Sequence, residues 1–227
     1  MRRLTALAVV LLALAAAAAV SVPAASACSD AAHCYAISQQ NDGGSPNIGL
    51  FAQVRANCMN GPTAARFMTH EIWAGTTNGQ RWVETGIARG AQFLTGAPQF
   101  FWARQDPTLS PAFRSWGVGD APYNDYPSFF LELIGSEWYI WPGGAGGAWQ
   151  HTSAVTTAVG NLSAGAETNS SYTASYGSIN SLEYRDPNGN WYYGLPGGGA
   201  VRNDPGMGFS WTAAPHSFRV SAGGISC

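Results

Sequence analysis

The 227-residue chain contains no lysine, and charged side chains of every kind make up only 11% of it. Such a surface has no basic patch with which to hold nucleic acid or anionic lipid, and neither partner is expected. Histidine is sparse too: positions 33, 70, 151 and 216 show no i, i+2 or i, i+4 spacing, so a metal site is not expected. The four cysteines fit no zinc pattern, and Cys28 to Cys34 is too wide for a C-x-x-C redox motif. No G-x-S-x-G elbow occurs, which removes the usual signature of a serine nucleophile. The glycine clusters at 143–147 and 197–199 lack a strand-to-helix context and a following Lys-Ser/Thr, so neither is a phosphate cradle. No cofactor is called for.

What remains is informative because it is selective. Arg2-Arg3, an apolar run over 4–20 and Ala25-Ser26-Ala27 read as a secretory signal with its cleavage site. Residues 1–27 are therefore expected to leave, and residues 28–227 to form one secreted, extracellular, monomeric domain. Ala25, three residues before Cys28, is smaller than the aliphatic residue a lipid-attachment site favours. Beyond residue 27 no run of roughly 18 apolar residues could span a membrane. Loss of Arg2 and Arg3 leaves nine arginines against thirteen acids, a net charge of −4. An even cysteine count in an oxidising compartment implies two disulfides, for which sequence allows three connectivities. The expected pairs are Cys34 with Cys58, closing a loop between neighbouring strands, and Cys28 with Cys227, tying the termini.

With 28 glycines and 13 prolines, the apolar segments are short and mostly of period two, the pattern of antiparallel strands. Strands are expected at 35–39, 48–56, 67–74, 81–88, 99–104, 128–134, 137–141, 154–159, 161–168, 179–184, 190–193, 208–212 and 217–220. Three segments, 106–127, 142–149 and 194–205, read as long surface loops, and Asp186-Pro187-Asn188-Gly189 as a hairpin turn. So many short strands imply an all-β fold, a single antiparallel β-sandwich of the concanavalin-like jelly-roll kind.

Glutamate occurs only six times. Two of the six stand among small and aromatic residues, in Trp82-Val83-Glu84-Thr85-Gly86 and Gly165-Ala166-Glu167-Thr168. Alternation puts Glu84 on the face of Trp82 and Gly86, and Glu167 on that of Ser163 and Gly165, away from Val83, Ile87, Leu162 and Ala164. Two carboxyls on one sheet face can divide acid and base work. Glu71 alternates onto the face of Trp73 and is a further candidate, either a third site carboxyl or a structural hydrogen-bonding group. Trp73, Trp82 and Trp102 are candidates for an aromatic platform under a sugar ring or an extended peptide. Glu132 and Glu137 could make a different pair, whereas Glu183 beside Arg185 and Asp186 reads as solvated surface.

The order of these motifs resembles the glutamic peptidases, the neprosin-like and eqolisin-like β-sandwich proteins. Val83-Glu84-Thr85-Gly86 matches the strand that carries their first catalytic residue. The aromatic strand Phe100-Phe101-Trp102 follows, and Ser163-Ala164-Gly165-Ala166-Glu167 occupies the place of their second glutamate, without the tryptophan that the family has beside it. Tyr176-Gly177-Ser178 and Leu182-Glu183-Tyr184 match the later turn and tyrosine strand of the neprosin-like chains. The resemblance covers about residues 67–193. It implies peptide-bond hydrolysis at acid pH by a Glu84–Glu167 dyad. Eqolisin-like proteins place glutamine in the Glu84 slot, so Glu84 would act protonated and Glu167 as general base. Two other functions fit the same residues: a retaining glycosidase, whose two carboxyls stand about 5 to 5.5 Å apart, and a non-catalytic carbohydrate- or surface-binding module. The ligand is accordingly an extended peptide or a polysaccharide.

Overall fold

The computed structural model describes residue 28 and residues 33–93, 96–143, 148–170 and 173–223. The sequence-expected leader, residues 1–27, and Cys227 lie outside these. One sheet contains β1 (Cys34–Gln39), β3 (Phe67–Gly75), β4 (Trp82–Gly90), β5 (Gln99–Gln105), β6 (Phe113–Asp120), β10 (Asn161–Thr168) and β13 (Ala200–Asn203). The other contains β2 (Gly49–Asn60), β7 (Ser128–Ile134), β8 (Glu137–Trp141), β9 (Gln150–Thr152), β11 (Ala174–Arg185), β12 (Trp191–Tyr193), β14 (Met207–Ala213) and β15 (Ser217–Ala222). In the first the order is β13-β1-β10-β3-β4-β5-β6; in the second it is β14-β15-β11-β2-β7-β8-β9, with β12 paired to β11. All pairings between these strands are antiparallel. The chain is an all-β sandwich.

The core lies between the sheets and is built by the inward residue of each alternating pair. Met68, Ile72 and Ala74 of β3, Val83 and Ile87 of β4, and Leu162, Ala164 and Ala166 of β10 meet Leu50, Val54, Phe129, Leu131 and Ile179 of the facing sheet, all fully buried. Burying a side chain of this size removes about 1.5–3 kcal/mol worth of apolar surface from water, which fixes the register. A one-residue slip of β4 would turn Glu84 into the core and Val83 out of it. The opposite face of the first sheet is thereby left for other side chains.

Several expectations need correction. Segment 154–159 forms no strand: Val159 makes an isolated bridge with Asn47, while Ala154 and Val155 are buried from irregular chain. Period-two apolar residues plugged a core there without a partner backbone. Conversely, the segments read as loops at 106–127 and 194–205 contain β6 and β13. These are the two edge strands of the first sheet and are largely exposed, so neither carries the one-sided apolar alternation that marks a strand. The hairpin at 186–189 forms as expected between β11 and β12: the Asp186 amide donates to the Asn190 carbonyl at 3.0 Å, and Gly189 takes φ +90°.

The disulfide expectation is overturned. Cys28 is bonded to Cys34, six residues on. Cys58 is also disulfide-bonded, though not to Cys34, and the proposed Cys28–Cys227 bridge falls because Cys28 is already taken. Cys34 opens β1, and Cys28 lies beside the Thr168 carbonyl of β10, the residue paired with Cys34. Cysteine spacing alone did not single out this pairing.

Candidate active site

The outward face of the first sheet carries a cleft of about 620 Å³ whose floor includes Glu71, Glu84 and Glu167. Their convergence follows from register. Glu71 on β3 stands opposite Gly86 of β4 and Gly165 of β10. Glu84 is two residues from Gly86, and Glu167 two from Gly165, so each is a diagonal neighbour of Glu71, within reach of long side chains. The two glycines permit the close strand approaches on either side of this cluster, Gly86 at Glu71 itself and Gly165 at β1. A Cβ on Gly86 would stand 2.6 Å from both Cα and Cβ of Glu71, so no other residue permits β4 to approach there. Gly165, at φ +154°, does the same toward β1, where a Cβ would stand 2.7 Å from Ile37 Cα.

The three carboxyls are buried, Glu71 completely and Glu84 and Glu167 to 7% exposure. Burial pushes the Glu84 carboxyl well above the usual range, and the charge of Glu167 pushes it further. Glu71 is raised for the same first reason, then by the charges of Glu84 and Glu167; the Thr69 hydroxyl, donating to Glu71 Oε1 at 2.5 Å, works against this. Glu71 Oε2 is buried without a hydrogen-bond partner. A protonated Glu71 suits that position, since burial and the neighbouring carboxyls both favour its neutral form. Tyr35 is raised as well, by burial and then by Glu167 and Glu71, which keeps its phenol neutral. Like charges in one buried site cannot all ionise cheaply.

Two groups missed in the sequence complete the site. The His33 imidazole contacts Glu167 through Nδ1 and Oε1, as an ion pair when protonated. The hydrogen bond to Glu167 raises the His33 pKa, opposed by partial burial. Arg202 of β13 stacks over Tyr35 at 4.2 Å, with Nε and Nη2 donating to Asp204 at 3.0 and 2.8 Å. The signal for His33 was its parity: it shares the odd-numbered face with Tyr35 and Ile37. Its contact is set by β1–β10 pairing 134 residues away, which local pattern does not report.

Of the aromatic candidates, Trp73 and Trp82 line the cleft, Trp73 beside Tyr35 at 6.3 Å and Trp82 beside Phe113 at 5.7 Å. Trp102 does not. It pairs with Thr85 on the inward face, is 93% buried in the core and stacks on Trp116 at 4.0 Å, so its expected place in the platform is corrected. Phe93 and Phe101, 5.5 Å apart, take that role in the wall. Glu132 pairs with Arg185, and Glu137 lies 3.4 Å from His151, both on the other sheet and away from the cleft. Among the described residues, no group of three or more His, Cys, Asp or Glu has the arrangement of a metal site.

A two-sheet sandwich with glutamates on the floor of an outer-face cleft defines a glutamic-peptidase-like fold. The chain superposes on scytalido-glutamic peptidase bound to a peptide-based transition-state analogue with a TM-score of 0.52 at 10% identity, covering 87% of this chain and 98% of that one. A second structure of that peptidase, with a transition-state analogue inhibitor, gives 0.53 at 9% identity over 85% and 98%. No family model matches the sequence, and no curated protein does. At such identity the likeness is one of fold.

Proposed function

We propose that this chain is a secreted hydrolase that cleaves peptide bonds at acid pH through Glu84 and Glu167. The observation that carries this reading is a pair of buried carboxyls on one cleft floor in unlike surroundings: Glu84, which burial and then the Glu167 carboxyl hold toward its protonated form, and Glu167, in contact with the His33 imidazole. Pairs whose surroundings push them apart are how one site runs acid and base chemistry together.

Glu167 takes a proton from a water whose oxygen attacks the scissile carbonyl carbon. The Glu84 carboxyl donates a hydrogen bond to the oxygen that becomes negative, in a cleft where little water competes. Collapse of the tetrahedral intermediate breaks the C–N bond, and the proton on Glu167 passes to the departing nitrogen. An extended peptide along the cleft would set an apolar side chain against Trp82, Phe93, Phe101 and Phe113. Proteolysis fades as pH rises and Glu84 gives up its proton.

Comparing two substitutions at one position tests this. Glu84→Ala should lose at least ~100-fold in kcat/KM on an unfolded protein substrate, the usual scale for an oxyanion donor. Glu84→Gln keeps an N–H donor and should retain a substantial rate, with the alkaline decline displaced upward because the group no longer ionises. Equal loss in both variants would exclude the donor role.

A further inference from the structure

We propose that His33 is a positioning residue of the cleft: its imidazolium, held against Glu167 Oε1, fixes the negative charge of the three-glutamate cluster on Glu167 and so makes that residue, not Glu71 or Glu84, the base. The inference rests on the peptidase reading for its catalytic part, while the ion pair itself stands on geometry alone.

Three chemically equivalent carboxyls share this floor, and burial penalises charge on each of them. Something has to break the symmetry. The groups facing Glu167 are Tyr35 of β1, Thr69 and Glu71 of β3, Glu84 of β4 and Arg202 of β13, together with His33. Tyr35 is a neutral phenol, and Thr69 spends its hydroxyl on Glu71. Glu71 and Glu84, once ionised, would repel a charge on Glu167. Arg202 acts from a distance with its guanidinium compensated by Asp204. Among the described residues that leaves His33 as the cation in direct contact.

The fold holds His33 in that position. It directly precedes Cys34, which is anchored by its disulfide to Cys28 and by its pairing with Thr168 of β10. Its ring meets Phe67 edge-on at 5.4 Å and lies 6.5 Å from Tyr35. The ring is half exposed, so it can exchange protons with solvent while its contacting edge stays on the cleft floor. Its hydrogen bond to Glu167 raises its affinity for a proton, so it carries its charge in the acid range in which the cluster would work. A cation beside a carboxylate favours the charged form of that carboxylate, less so where solvent screens the pair.

The test is a pH–rate profile and an NMR titration of three proteins: wild type, His33→Gln and His33→Arg. His33→Gln keeps a polar side chain without the charge; its acid limb in kcat/KM should move up by about one pH unit, and its maximum should fall, because the charge spreads over three carboxyls. His33→Arg restores a cation and should restore the wild-type limb, which a purely structural role for the ring would not allow. Independently of catalysis, the His33 Cε1 proton should titrate above 6.5 in wild type and return toward 6.5 in Glu167→Gln. An unmoved acid limb in His33→Gln overturns the positioning role. A His33 titration indifferent to Glu167→Gln overturns the pair. If wild type cleaves nothing at any pH, the peptidase reading fails and takes the catalytic role with it, while the NMR result still decides the ion pair.

Discussion

His70 offers a quantitative test of how this sandwich meets acid. The residue sits on β3 between Thr69 and Glu71 but points inward, fully buried between the sheets, with Nδ1 3.2 Å from the Arg55 carbonyl and Nε2 without a partner. The space for its ring exists because position 177 on β11 is glycine; a Cβ there would collide with the imidazole. Burial lowers its pKa from 6.5 to about 4. A depressed pKa means that the unfolded chain binds the proton first. The neutral ring therefore favours the fold above pH 6.5, and that stability is lost as pH falls to about 4. A shift of 2.5 units corresponds to about 3 kcal/mol, with no discount for solvent because the ring is fully buried. Glu71 and Glu84 act in the opposite sense. Their raised pKa values favour the fold below the unfolded carboxyl value and withdraw that support as pH rises through their folded values. In urea unfolding at half-unit steps from pH 7.5 to 3.5 the carboxyl contributions are common to wild type and a His70 variant, so the wild type should lose stability relative to that variant between pH 6.5 and 4. His70→Asn places a non-titrating N–H near the Nδ1 position. Whatever constant cost its smaller side chain brings, the loss across that window should shrink by about 3 kcal/mol. A His70→Asn profile parallel to the wild type across the window would refute the assignment of the acid slope to this ring.

Other consequences follow from the same geometry. Gly86→Ala should destabilise by about 1–3 kcal/mol in thermal or urea unfolding, since its methyl would have to displace the β3 backbone at Glu71, and it should depress cleavage more than a surface change of equal stability cost. Glu71→Gln should leave stability at pH 3 unchanged and raise it at pH 7, where the wild type carries the burden of a buried ionisable carboxyl; urea midpoints at the two pH values decide this. Trp82→Ala should raise KM several-fold with little change in kcat on an unfolded substrate, because the indole lines the cleft wall rather than its carboxyl floor.

Period two made the central strands legible. Along β4 and β10 it assigned Val83 and Leu162 inward and Glu84 and Glu167 outward, and on β3 it put Glu71 on the face of Trp73; burial and the cleft lining place all six where that rule put them. Trp102 was misplaced although the same rule applied: it pairs with inward Thr85, and grouping it with Trp73 and Trp82 by chemistry overrode its parity. Edge strands such as β6 escaped because most of their side chains are exposed, leaving no continuous one-sided apolar alternation to mark them. Glu71 could be placed on the correct face but not at the centre of the cluster, since that depends on the pairing of β3 with both β4 and β10. The His33–Glu167 contact and the place of Cys28 beside Thr168 depend on the pairing of β1 with β10, a long-range fact with no local code.

The most direct test of the central claim is acid digestion of an unfolded protein by the purified 28–227 chain and by its Glu167→Gln variant, with new peptide N-termini counted by mass spectrometry from pH 2 to 7. Cleavage by the wild type in the acid range, fading toward neutrality, with at least ~100-fold fewer new termini from the variant at matched folded concentration, is the expected result. Undiminished cleavage by Glu167→Gln, or no new termini from the wild type at any pH, would contradict it.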